Sequence, residues 1–146
     1  MNEVPQNDQT DEIYRLYGKA VHHCFNIEVC CAFLLRGPEL RKNRNLSELT
    51  PEIIDEVGRK LDRSTLGQLT QKINIHFTLT REDKIYLEKV LDNRNYLIHE
   101  FFGTYGRTMY LSETWPEMLN ELQELLTFFE EASSIFAKWS GISDFS

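Results

Sequence analysis

Cysteine is rare in this sequence, and so are the features that mark exported or membrane-bound chains. The three cysteines among 146 residues, Cys24, Cys30 and Cys31, lie within eight positions and include an adjacent pair that is poorly placed for a disulfide inside a helix. They are predicted to be reduced thiols of a cytoplasmic protein. No run of about eighteen apolar residues occurs, and the polar, acidic N-terminus has no basic start before an apolar stretch, so neither membrane insertion nor export is predicted.

Proline and glycine are also scarce, at four and seven residues. No linker rich in either residue divides the chain, and no internal repeat or low-complexity tract is visible. A chain of this length suits one domain with one core. We therefore predict a single helical domain over residues 11–140, a flexible N-terminal tail over residues 1–10 and a C-terminal tail over residues 141–146.

Positive charge is in deficit, because 16 lysines and arginines face 23 aspartates and glutamates for a formal net charge of -7. This balance argues against a broad basic surface that grips long nucleic acid through many phosphates. It does not exclude a small cleft, which needs only a few local cations. Hydrophobic residues make up 41% of the chain and aromatic residues 12%, and this composition predicts a packed core.

What the sequence does contain is helical periodicity. Apolar residues recur at steps of three and four along five segments, and the period of two that is typical of strands is absent, except for a few residues around Thr108 to Leu111. The predicted fold is all-α, an up-and-down bundle of about five helices. The predicted helices run from Asp11 to about Arg36, from Pro51 to about Asp62, from Thr65 to about Ile75, from Thr80 to about Gly103 and from Ser112 to about Trp139.

Residues that favour helix starts and stops bound these segments. The pair Gly37-Pro38 is predicted to end the first helix and to leave a short basic loop over residues 36–44. This loop either guides RNA or a partner, or is simply a solvated connection. The predicted N-terminal caps of the later helices are Thr50, Ser64, Thr80 and Ser112.

The fourth predicted helix carries an unusual set of polar residues. Asn95 and His99 lie four positions apart and are neighbours on one face, whereas Arg94 lies among leucine and isoleucine on a face that is turned to the core or to an interface. A guanidinium in such a place is costly unless it is paired, and Glu28 on the apolar first helix is the best candidate partner. One interpretation is that this ion pair only fixes the register of the two helices.

The segment around this arginine resembles a known family. Residues 93–102, NRNYLIHEFF, resemble the Arg-x4-to-6-His signature of HEPN domains, including the polar residue that directly follows the arginine. The position of the motif near the end of the fourth helix, with a long final helix after it, also fits, and the region around Gly18 and Glu28 is similar to the first helix of bacterial members. The resemblance covers roughly residues 11–139, although only the ten-residue segment is specific.

The resemblance implies a metal-independent endoribonuclease without a cofactor, which acts as a toxin or defence component and can be held by an antitoxin protein. It implies that two copies form a homodimer through the helix that carries Arg94 and His99, with RNA bound in a shared cleft. His99 would accept the proton of a ribose 2′-hydroxyl or donate a proton to the leaving oxygen. Arg94 would hold the scissile phosphate, and Asn95 would orient either that phosphate or the imidazole. The products would be a 2′,3′-cyclic phosphate and a 5′-hydroxyl.

Several alternatives stay open at this point. Some HEPN domains are inactive, so a module that binds a nucleotide or a protein partner in the same cleft is the second hypothesis. Phe102 and Tyr105 can either stack on bases of the substrate or fill the core. Phe101 stands where toxins of this family often have a tyrosine, so no modification of that hydroxyl is carried over. The group His22-His23-Cys24 matches no zinc spacing, and buried thiols are the simpler interpretation.

Overall fold

The computed structural model describes residues 8–142, in which five long helices and one short helix account for most of the chain. The all-α prediction is confirmed, and no strand occurs within this range. The helices are α1 (Asp8–Arg41), α2 (Pro51–Asp62), α3 (Leu66–His76), α4 (Arg81–Asn95), α5 (Phe101–Tyr105) and α6 (Trp115–Ser140). A π-helical turn (Tyr96–Glu100) joins α4 to α5, and 3-10 turns lie at Leu46–Glu48, Gly106–Tyr110 and Ser112–Thr114.

The core forms chiefly where the two longest helices, α1 and α6, pack against each other. Each contributes one apolar stripe at helical spacing, and burial of such stripes is the main stabilising term of a bundle. Helices α2 and α3 cover another side of α1, while α4 contacts α3 and α6. The buried stripe of α1 includes Ile13, Leu16, Ala20, Cys24, Ile27, Cys31 and Leu35, and that of α6 includes Met118, Leu122, Leu126, Phe129, Ala132 and Phe136.

The helix starts follow from side chains that accept backbone hydrogen bonds. The hydroxyls of Thr50 and Thr80 accept from the third residue beyond them, as predicted. For α3 the predicted cap was wrong by one residue: Thr65 forms a capping box with Gln68, whereas Ser64 donates its hydroxyl to the Lys60 carbonyl at the end of α2. Ser112 begins a 3-10 turn rather than the last helix, which starts at Trp115.

The predicted end of the first helix was also wrong, because α1 continues through Pro38 to Arg41. Proline lacks the N–H that would bond four residues back, which normally ends or bends a helix. Here the extra turn is held from outside: the Glu39 carboxylate accepts a hydrogen bond from Lys72 and pairs with His76 Nε2, both on α3. Arg44 Nη1 also donates to the Glu39 carbonyl oxygen at 3.4 Å. These contacts stabilise the last turn of α1 and outweigh the tendency of Pro38 to end the helix.

Three further boundaries differ from the sequence prediction. The fourth helix was expected to run without interruption to about Gly103, whereas the π turn divides it and α5 ends at Tyr105. The residues around Thr108 to Leu111 do not form a strand. Helix α1 begins at Asp8, inside the segment predicted as a flexible tail, while residues 1–7 and 143–146 of the two predicted tails lie outside the described range. No helix within residues 8–142 is both long and apolar enough to cross a membrane.

The Glu39 pairing predicts a specific response to acid. Burial raises the pKa of Glu39, but the hydrogen bonds and charges of Lys72 and His76 outweigh burial, so this pKa lies below its ordinary value. A lowered carboxyl pKa stabilises the fold above the unfolded value of about 4.3, and the contribution disappears as pH falls through the folded value. We expect Glu39→Gln to lower Tm at pH 7 and the difference from wild type to shrink below about pH 5.

Thermal denaturation followed by circular dichroism at a series of pH values measures this difference. Glu124→Gln, on the exposed face of α6, is the matched control and should track wild type throughout. A Tm difference for Glu39→Gln that stays constant down to pH 3 would show that the carboxylate charge is not what holds the end of α1.

Candidate functional site

The motif segment contains a π turn, Tyr96–Glu100, which begins two residues after Arg94 and includes His99. The Phe101 N–H donates to the Tyr96 carbonyl five residues back, and Glu100 has φ -124° and ψ -23°, far from regular helical values. In an uninterrupted α-helix, two residues five apart point about 140° away from each other. A π turn holds an additional residue, so the angle about the helix axis between Arg94 and His99 is smaller than this value. Such turns occur often at functional sites.

Arg94 is held by one contact on each side of its guanidinium. Its Nη2 lies 3.5 Å from Oε1 of Glu28 on α1, and its Nη1 donates to Oδ1 of Asn95 at 3.2 Å. The side chains of Arg94 and Glu28 are 21% and 25% exposed, so the pair lies at the edge of the core with a path to solvent. The 3.5 Å separation is longer than a tight charge-assisted hydrogen bond, which leaves the arginine able to hold a further anion.

The Glu28 carboxylate is in an unfavourable place for a charge. Burial raises the pKa of Glu28, and the nearby Arg94 lowers it only in part, so the net change is upward. A raised pKa means that the neutral acid forms more readily than in water. An anion that approached Arg94 would therefore meet a carboxylate that is easier to neutralise than an ordinary glutamate, which would reduce repulsion at the site.

The other predicted site residues differ in exposure. His99 is exposed to solvent on the π turn, and Asn95 is half-buried beside Arg94. Phe102 is half-buried, and its ring centroid lies 4.7 Å from that of Tyr17 and 6.2 Å from that of Tyr14. Since Tyr14 is 55% exposed, these rings form an aromatic edge at the surface next to the motif.

Tyr105 lies in the core, which is one of the two alternatives that the sequence left open for it. Its side chain is buried in the core, and its hydroxyl donates to the carboxylate of Glu121 on α6. The hydroxyl of Tyr96 donates to the other oxygen of the same carboxylate. Burial, followed by the bond to Glu121, raises the pKa of both phenols, so they remain neutral donors. Tyr105 therefore fills the core, and its hydroxyl is used inside the protein.

Glu121 was missed by the sequence analysis, although it positions the motif. Its two hydrogen bonds reach Tyr96, the first residue of the π turn, and Tyr105, the last residue of α5. The carboxylate thus spans the segment that carries His99 and ties both of its ends to α6. A signal was present, since Glu121 lies beside the core stripe of Met118, Leu122 and Leu125, where a solvated carboxylate is not expected.

The three cysteines do not supply a nucleophile. All are buried free thiols, and burial raises the pKa of Cys24 to about 12, so the reactive thiolate is disfavoured. Within residues 8–142 no group of three His, Cys, Asp or Glu side chains is placed to hold a metal ion.

The fold and this site define an all-α bundle in which an arginine at the end of α4 pairs with a carboxylate on α1, and a histidine lies on the π turn that follows α4. Comparison with known proteins gives no match: no family model matches the sequence, no curated protein matches it, and no solved structure matches the fold. The function must therefore be argued from the side chains themselves.

The double contact of Glu121 predicts a stability effect. Tyr105→Phe removes a hydrogen bond to a charged group and leaves one carboxylate oxygen without its partner in the protein interior. We expect a loss of about 1.5–3 kcal/mol in the free energy of unfolding, measured by urea denaturation. Tyr110→Phe is the control, because this tyrosine is 66% exposed and its change should stay within about 0.5 kcal/mol. Equal effects of the two substitutions would contradict the role given to Glu121.

Proposed function

We propose that this chain is a metal-independent endoribonuclease of the HEPN type, which cleaves RNA at a composite site formed by two copies of the chain. The observation that carries the proposal is the geometry around Arg94: a partly exposed guanidinium, oriented by Asn95 and only loosely paired with Glu28, near the end of α4 and directly before the π turn that carries the exposed His99. As the family resemblance implies, we also propose that the protein is a cytoplasmic toxin or defence component and that an antitoxin protein restrains it.

Cleavage follows from the roles these groups can take. His99 removes the proton of a ribose 2′-hydroxyl, whose oxygen attacks the adjacent phosphorus. The bond from phosphorus to the 5′-oxygen breaks, and that oxygen takes a proton from the imidazolium of the second copy. Arg94 stabilises the negative charge that grows on the phosphoryl oxygens. The products are a 2′,3′-cyclic phosphate and a 5′-hydroxyl, and the atoms balance without a metal ion or cofactor.

A second copy is part of the proposal because proton removal and proton donation occur on opposite sides of phosphorus. One motif supplies one histidine, and two-fold symmetry supplies another. Exposed apolar side chains near the site support such an association: Phe25, three residues before Glu28 on α1, is 59% exposed, and Tyr14 beside Phe102 is 55% exposed. Both residues lie on α1, eleven positions apart and therefore on nearly the same face, and exposed apolar surface of this kind is typical of interaction surfaces.

RNA cleavage in the presence of a chelator tests the mechanism. We expect wild type to cut single-stranded RNA and to leave 2′,3′-cyclic phosphate ends, and His99→Ala to lower the rate by about 100-fold or more. Arg94→Lys keeps a positive charge beside Glu28, and so keeps the fold, but loses the planar fork and should also lower the rate by about 100-fold. His22→Ala, at an exposed histidine on α1, is the matched control.

Full activity of both His99→Ala and Arg94→Lys would reject the site. Absence of cleavage by wild type, together with a nucleotide that raises the Tm of wild type but not of Arg94→Lys, would instead favour an inactive binding module.

A substitution that introduces a charge into the exposed apolar surface of α1 tests whether two copies associate. Phe25→Asp should convert the dimer to a monomer in light-scattering measurements and abolish cleavage, because a buried unpaired carboxylate opposes the interface. Ile75→Asp, at a 75% exposed residue of α3, introduces the same change away from the motif and should leave mass and activity unchanged. A wild-type chain that cleaves RNA as a monomer would contradict the composite site.

A further inference from the structure

A cationic cavity lies outside the arginine–histidine site, between the end of α1, the loop after it, α2 and α3. Its volume is about 400 Å³, which is within the range of ligand-binding cavities. Four cations and one carboxylate line it, a marked local excess in a chain of net charge -7. The charged lining residues are Glu39, Lys42, Arg44, Lys60 and Lys72.

The fold gathers these cations and neutralises only part of their charge. The single carboxylate, Glu39, is already engaged by Lys72 and by His76. Asn43 adopts the left-handed conformation, with φ 59°, so the chain turns sharply between Lys42 and Arg44 and both side chains reach the cavity. Lys60 pairs at 3.3 Å with Glu56, but both side chains are more than half exposed, and such a surface pair is weak.

This cavity adjoins a second one that is lined by the partner of Arg94. A second cavity of about 350 Å³ shares Leu61 and Ser64 with the first one, and its lining also includes Glu28, the partner of Arg94. The other carboxylate in the second cavity, Asp62, lies 3.7 Å from the guanidinium of Arg36. The two adjoining cavities therefore form a groove that leads from Glu28, the partner of Arg94, past Leu61 and Ser64 to the cations. Each of the three acids along it has a basic partner: Arg94 for Glu28, Arg36 for Asp62, and Lys72 with His76 for Glu39.

We propose that the cationic cavity is a second phosphate-binding site that holds the backbone of the RNA strand whose scissile phosphate lies at Arg94. This inference rests on the proposed function, since it assigns the path of that substrate. Cations supply most of the affinity for a nucleic-acid backbone, and the apolar surface of Val57 and Leu61 suits the sugars of an unpaired strand. Glutamate and aspartate elsewhere on the surface would keep the strand on this one groove.

The test is binding of a short single-stranded oligouridylate with 2′-O-methyl riboses, which cannot be cleaved, to a His99→Ala chain. Lys42→Glu with Lys60→Glu removes two cations of the cavity and leaves the Glu39 contacts in place. The control is Arg59→Glu with Arg63→Glu, the same charge change at exposed residues that do not line this cavity. We expect the cavity variant to bind about tenfold or more weakly than the control, and its slope of log affinity against log salt to fall by about 1.4, or about 0.7 for each lost phosphate contact.

Each outcome decides a different claim. If binding weakens equally in the cavity variant and the control variant, the second site is rejected. It is also rejected if inorganic triphosphate binds at the same lysines more tightly than the oligonucleotide does, because the cavity would then be a site for a free nucleotide. If wild type cuts no RNA but the oligonucleotide still requires Lys42 and Lys60, the second site stands and the nuclease proposal fails. If cleavage requires Arg94 and His99 but is unaffected by the cavity variant, the nuclease proposal stands and this inference fails.

Discussion

A guanidinium at the edge of a hydrophobic core is the constraint around which this bundle is arranged. Glu28 on α1 stabilises Arg94 in that place, and the ion pair links α1 to α4. The pairing is incomplete, at 3.5 Å and with a glutamate whose pKa is raised by burial. The arrangement is thus stable enough to fold and still leaves the arginine with capacity for an anion.

The second organising feature is the way α6 holds the motif segment. A π turn lacks the regular hydrogen bonding of an α-helix, so it needs support from elsewhere to keep one conformation. Glu121 gives this support through Tyr96 and Tyr105, and the fully buried Phe101 fills the space between them with ring contacts to both tyrosines. The exposed His99 therefore lies on a backbone segment that contacts with α6 hold in one conformation.

The sequence predicted what depends on local periodicity and capping, and failed where distant residues decide. The bounds of α2 and the caps at Thr50 and Thr80 were predicted because their determinants lie within a few residues. The continuation of α1 past Pro38 depends on Lys72 and His76, more than thirty positions away. The π turn leaves no pattern in composition, and the bond from Tyr96 to Glu121 spans 25 positions, so neither could be predicted from neighbours in the chain.

The proline within α1 gives the two ends of the groove different stiffness. Glu28 lies in the fully hydrogen-bonded part of α1, whereas Glu39, roughly 16 Å further along the axis, follows the residue that lacks an amide hydrogen. A missing backbone bond lowers the free energy of local opening, so amide exchange should be faster in the final turn of α1 than around Glu28. The end near Arg94 thus keeps a fixed shape, while the lysine-rich end has the freedom to adapt to what it contacts.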